Sequence, residues 1–117
     1  MELQDAQVAV VAMIEDRHAI DLAGDIARVE GIDALFVGRG DLTASFAGDP
    51  GAAGQVAEIA ARVAEAARQA GVPLIMLPTS RADFDFVAGL GATAFMLSSD
   101  HGFIRSAAAA TLKDYAG

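Results

Sequence analysis

The sequence predicts a parallel α/β fold built from four consecutive βα units. Three observations predict it. Four apolar runs begin near residues 8, 32, 72 and 92, and stretches of helical periodicity lie between and after them. Each run ends in polar or turn-forming residues. Alanine supplies 27 of the 117 residues, so the core is one of helices lying close on a sheet through small, flat faces. Strands alternating with helices run parallel and are joined by right-handed crossovers. Two architectures satisfy the alternation: an open doubly wound sheet, or four units of a (β/α)8 barrel. A barrel needs about 200–250 residues, so on that reading the chain is half of one.

Val8–Ile14 is the longest apolar run and reads as a strand buried on both faces. Leu22, Ile26 and Val29 recur at helical spacing, and Gly31 stops that helix. Ile32–Val37 is the second strand, ended by Gly38-Arg39-Gly40-Asp41, and Leu42–Gly54 reads as a long loop with at most a short helix. Val56, Ile59, Val63, Ala66 and Ala70 follow a 3-4-3-4 spacing along a helix that ends at Gly71. Val72–Leu77 is the third strand and Pro78-Thr79-Ser80 turns the chain. Ser80 with Asp83 resembles a capping box at the start of a helix Arg81–Leu90, which Gly91 stops. Ala92–Leu97 is the fourth strand, and a last helix runs from about Phe103 to Tyr115. About half of Val10, Ala12, Phe36, Leu74, Met76, Phe95 and Leu97 should face an uncovered barrel interior.

Residues 1–117 read as one domain, and 54% hydrophobic content excludes a disordered tail. No apolar run approaches the ~18 residues of a membrane helix. Eight basic against sixteen acidic residues leave a charge of −8, which excludes nucleic acid and anionic membranes as partners. With no cysteine there is no disulfide framework and no thiolate metal site. The segment Met1–Asp5 is acidic and lacks the basic start of a secretory signal, so a cytoplasmic location is expected.

Polar residues gather just past the strand ends: Glu15-Asp16, Arg39-Gly40-Asp41, Thr79-Ser80 and Ser98-Asp100-His101. In parallel α/β folds that rim carries active sites. Thr79, Ser80 and Ser99 read first as helix caps, and His101 as a helix-start histidine. Arg17, Arg28, Arg62 and Arg68 read as solvated helix faces. Glu15 and Asp41 stand out, because each follows an apolar strand and both could converge above the sheet. Two carboxylates suit a hard divalent cation, Mg²⁺ or Mn²⁺, and leave positions open for a chelating oxygen pair. Gly38-Arg39-Gly40-Asp41 adds backbone N–H groups that an anion can approach closely.

Met13-Ile14-Glu15-Asp16-Arg17-His18-Ala19 is similar to the motif [MQ]-I-E-[TS]-x-x-A of the HpcH/HpaI aldolase and citrate lyase beta-like family. Glu30-Gly31-Ile32-Asp33-Ala34-Leu35-Phe36-Val37-Gly38-Arg39-Gly40-Asp41-Leu42-Thr43-Ala44-Ser45 resembles its E-G-[IV]-D-x-L-F-[IV]-G-P-x-D-L-[ST]-x-S. Gly91-Ala92 and Ser98-Ser99-Asp100 resemble its G-A-x-x-x-x-x-[GS]-S-D. The resemblance runs essentially end to end and covers the family's C-terminal half, strands five to eight of a (β/α)8 barrel. It implies a class II aldolase, a carbon–carbon lyase that cleaves or forms 2-oxo acids through a pyruvate enolate with an aldehyde as partner. It also implies that Glu15 and Asp41 hold Mg²⁺ or Mn²⁺, with Co²⁺ a further candidate. Gly38, Arg39, Gly40 and Asp41 would bind the pyruvate, its carboxylate resting on the Gly40 and Asp41 N–H groups, and Leu77 would wall the aldehyde pocket. Arg39 replaces the proline of the family motif. The catalytic arginine and histidine of the family lie in its other half and match no residue here. The resemblance further implies a homo-oligomer, since the family's last helix packs on an adjacent subunit. The alternative expectation is a catalytically silent half-barrel that binds metal and self-associates or complements another chain.

Overall fold

A computed structural model describes residues 7–46 and 49–115; the segment Met1–Asp5 lies outside the described residues. The elements in chain order are β1 (Val11–Ile14), α1 (Arg17–Ala27), β2 (Ala34–Val37), α2 (Arg39–Ser45), α3 (Ala52–Ala70), β3 (Leu74–Met76), α4 (Arg81–Gly89), β4 (Ala94–Phe95) and α5 (Asp100–Tyr115). Each strand lies within its predicted apolar run but begins two or three residues later and is shorter, because only part of each run pairs with a neighbouring strand.

All four strands are parallel and lie in the order β1-β2-β3-β4, with Val11 opposite Ala34 and Ile14 opposite Val37. Every crossover adds its strand on the same side. A doubly wound sheet reverses its strand order at a switch point; this one does not, so the open alternative falls and consecutive barrel-type units remain.

Side chains alternate across each strand. Ile14, Leu35, Val37, Leu74 and Met76 point to the helix side and join Ile20, Ala23 and Ala27 of α1 with Val56, Ile59, Ala60, Val63, Ala64 and Ala67 of α3. Ala12 and Phe95 also pack against this core. On the opposite face Met13 is 49% exposed, whereas Phe36, on a strand flanked on both sides, is 7% exposed. Val10 and Leu97 lie outside the paired segments and are exposed. The expected split between covered and uncovered faces therefore exists, with the larger share on the helix side.

Two expectations are corrected. In α1 the buried face is Ile20, Ala23 and Ala27, while Leu22 and Val29 are 52% and 56% exposed. Alanines face the core because α1 lies against α3 on a narrow sheet and must approach closely. Leu42–Gly54 is not mainly loop: α2 begins at Arg39, anchored by the fully buried Leu42, and α3 begins at Ala52. The C-terminal end of α3 behaves as read. Gly71 caps it with φ of +73°, a left-handed conformation that any side chain would strain.

No residue of α5 is buried, and Phe103, Ile104 and Leu112 are exposed on it. The accessible surface is 7952 Å², against about 6,000 Å² for a compact monomer of this mass. The radius of gyration is 16.9 Å, against about 13 Å for a compact chain of this length.

Candidate active site

The C-terminal ends of the strands build the site. Pairing extends one residue past β2, where the Gly38 N–H donates to the Ile14 carbonyl at 3.0 Å. This carries the Gly38 backbone beneath Glu15. A Cβ at Gly38 would lie 2.8 Å from Glu15 Cβ and 3.5 Å from its Oε2, so only glycine leaves the Glu15 side chain its seat. Asp41 is in the first turn of α2. The N–H groups of such a turn have no intrahelical acceptors and remain open to a ligand.

A cleft of about 550 Å³ opens at this rim. Gly38, Arg39, Gly40, Asp41 and Leu77, all expected at a binding site, line it together with Thr79. Met13, Phe36 and Met96 from the uncovered sheet face supply its apolar wall. Glu15 does not line the cleft but borders it, against Gly38. His101 is exposed at the start of α5 and is not part of the lining.

Arg39 neither hangs over the cleft as a free charge nor points outward. Its Nη1 donates to Asp83 Oδ1 at 2.8 Å, and Nη2 donates to Asp83 Oδ2 at 2.6 Å and to the Leu77 carbonyl at 2.8 Å. Asp83 Oδ2 also accepts from the Thr79 N–H at 2.7 Å and from the Thr79 hydroxyl at 3.1 Å. The Arg39 guanidinium beside Asp83 holds its carboxyl well below the usual carboxylate range, against the opposing effect of burial, and the Thr79 bonds reinforce it. Ser80 caps α4 by accepting from the Asp83 N–H, as its spacing predicts. The Asp83 carboxylate, however, reaches Thr79 and not the Ser80 backbone as a capping box would. Asp83 and Thr79 are the site residues that sequence reasoning missed. The capping spacing marked Asp83, but nothing local pointed to a partner 44 residues earlier.

Neighbouring polar residues have structural work. Asp16 caps α1, accepting from the His18 and Ala19 N–H groups, and the latter bond leads in lowering its pKa. Ser99 accepts from the Gly102 N–H at the start of α5. Arg17 stacks on the Phe46 ring at 4.0 Å and donates to the Ser45 carbonyl, tying α1 to the end of α2 and not simply projecting into solvent.

Among the described residues no group of three or more His, Cys, Asp or Glu could hold a metal ion. Glu15 and Asp41 are thus two carboxylates, both exposed. A hard divalent cation accepts such a pair and completes its shell with water or ligand oxygens. The seat at Gly38, which a Cβ would fill, fits Glu15 in that role.

The model of the family described as HpcH/HpaI aldolase/citrate lyase matches residues 2–107. A 5-keto-4-deoxy-D-glucarate aldolase of Enterobacter sp. (strain 638) is 34% identical over 102 residues, 86% of this chain and 40% of the relative. A hydroxypyruvate/pyruvate aldolase of Delftia acidovorans is 32% identical over 111 residues, 93% of this chain and 41% of the relative. The crystal structure of the citrate synthase SbnG superposes with a TM-score of 0.81 at 29% identity, covering 98% of this chain and 47% of that one. The chain spans about two fifths of the length of these curated relatives.

Proposed function

The chain belongs to the HpcH/HpaI aldolase/citrate lyase family, and from that premise we propose that it carries the metal-binding part of a 2-oxo-acid aldolase. In this reading it forms strands five to eight of a (β/α)8 barrel. Glu15 and Asp41 hold Mg²⁺, Mn²⁺ or Co²⁺, an ion that supplies Lewis-acid stabilisation of the enolate left when the carbon–carbon bond breaks. Gly38 seats Glu15, the Gly40 and Asp41 N–H groups receive the carboxylate of pyruvate, and Leu77 walls the side where the aldehyde lies. One observation carries the reading: Glu15 lies over Gly38, and Asp41 stands in the first turn of the helix that Gly38 precedes, at the ends of neighbouring parallel strands. The relatives named as aldolases support it.

Calorimetry with Mn²⁺ tests the assignment. Glu15→Ala and Asp41→Ala should each abolish binding, and Asp16→Ala, which removes only a helix cap, should not. Unchanged affinity in Glu15→Ala refutes it. Oxalate, a stand-in for the enolate of pyruvate, should bind only with metal present, because a chain at −8 repels free carboxylates. Gly40→Val should weaken oxalate and spare metal, since a Cβ at Gly40 meets nothing within 4 Å of the protein. Oxalate binding in excess chelator contradicts the bidentate picture.

A second reading has its own observation. The uncovered face of the sheet and the unburied α5 favour a half-barrel that binds metal and self-associates or complements another chain. An assay with pyruvate and a simple aldehyde bears on the two readings: turnover refutes the silent half-barrel, whereas metal binding without turnover is expected of this chain alone on either reading, since the family's catalytic arginine and histidine match no residue here.

A further inference from the structure

Arg39 is the one cation lining the cleft, and a cation beside a proposed carboxylate site invites the idea that it receives the ligand. The hydrogen bonds argue otherwise. Its planar fork is already filled by the Asp83 carboxylate in the bidentate arrangement that guanidinium groups form with carboxylates. A third bond goes to the Leu77 carbonyl. The two side chains are only 19% and 17% exposed, so the pair is held from water far more than any other ion pair among the described residues. The cluster joins three segments: Arg39, the first residue of α2, and Leu77 and Thr79, which follow β3, line the cleft, and Asp83, in the first turn of α4, does not but binds both sides.

We propose that Arg39 is a positioning residue, whose bonds to Asp83 and the Leu77 carbonyl hold the Gly38–Asp41 turn against the end of β3 so that the turn can accept a ligand carboxylate. The consequence for ligands rests on the aldolase reading above; the mechanical role does not. Without the clasp the turn keeps its Gly38 bond to Ile14, the buried Leu42 and the bonds within the short α2, none of which ties it to the end of β3, and the N–H groups of Gly40 and Asp41 lose a fixed direction. The guanidinium itself adds no free charge to the cleft.

Asp83→Asn separates this role from that of an anion receptor, because the two give opposite signs. The substitution frees Arg39 from its counter-charge while the amide can still accept from Thr79. If Arg39 receives the ligand, oxalate binding in the presence of Mn²⁺ tightens. If Arg39 positions the turn, oxalate binding weakens about tenfold while Mn²⁺ affinity stays within about twofold. Arg39→Met should match Asp83→Asn, and Arg39→Lys should recover little, since a point charge cannot bridge both Asp83 oxygens and Leu77. Full recovery by Lys, or tighter oxalate in Asp83→Asn, overturns the proposal.

Amide hydrogen exchange supplies a readout independent of any ligand. In both Asp83→Asn and Arg39→Met, exchange at the Leu42 N–H, which bonds to the Gly38 carbonyl, should rise at least tenfold. Exchange at Val63, buried in α3, should not change. Equal acceleration at both sites, or at neither, overturns the clasp. Should the unaltered chain bind neither Mn²⁺ nor oxalate, the aldolase reading falls and exchange at Leu42 still decides the clasp.

Discussion

At Asp83 one carboxylate accepts from Arg39, from the Thr79 backbone and from the Thr79 hydroxyl, which ties its ionisation to folding. The folded chain holds its pKa below the unfolded value of about 4. The stabilisation is therefore fully present above that value and is lost as the pH falls through the folded pKa. Asp83→Asn should cost about 2 kcal/mol at neutral pH, the scale of hydrogen bonds to a charged group. Urea unfolding at a series of pH values checks this. The gap between the two proteins should be constant from about pH 5 to 8 and should narrow below about pH 4; a gap that widens on acidification contradicts the assignment. At Gly38 the constraint is steric and not electrostatic. Gly38→Ala should push Glu15 from its seat and weaken Mn²⁺ binding without touching Asp41, which calorimetry would register.

The helices show what could be read from the sequence and what could not. Strand positions were legible because apolar runs longer than any helix stripe mark strands covered by neighbours. The ends of α3 and α4 were legible too, since Gly71 and Gly91 just past them take positive φ, whereas α1 ends at Ala27, four residues before Gly31. The buried face of α1 was not. Leucine and valine dominate any hydrophobic pattern, yet Ala23 and Ala27 meet the core, because helix spacing and not side-chain hydrophobicity selects the contact. The start of α2 was hidden as well, as Gly-Arg-Gly-Asp has the composition of a turn and its helical bonds depend on the buried Leu42. Glu15 and Asp41 were legible as polar residues just past strand ends, and the structure places Asp41 on the cleft and Glu15 beside it. The partner of Arg39 was not, because the pairing spans 44 residues and follows only from the strand order. The close approach of α1 gives a direct prediction. Ala23→Leu, at a residue 2% exposed, should destabilise the fold by about 1–3 kcal/mol through overpacking, whereas Leu22→Ala should change stability by far less. Thermal unfolding of the two variants checks the contrast.

For the whole molecule the decisive quantity is surface. The chain exposes roughly 2,000 Å² more than a compact protein of its mass, and a standard interface takes about 800 Å² from each partner. Apolar residues of the sheet's open face and of α5 contribute to that excess. Sedimentation equilibrium at low micromolar concentration should therefore find an oligomer, with a dimer the commonest closed form. A stable 11.9 kDa species that unfolds cooperatively contradicts this expectation.

The strand order has one more consequence. Because β1 to β4 follow one another across the sheet as they do along the chain, β1 and β4 are its two edges among the described residues, each with one side of its backbone unpaired within the sheet. A further strand–helix unit joined before β1 or after β4 could dock by the same parallel pairing that unites the present four, without displacing any contact already made. Growth of this sheet is by addition at its margins, and each added unit bends the row further toward a closed ring.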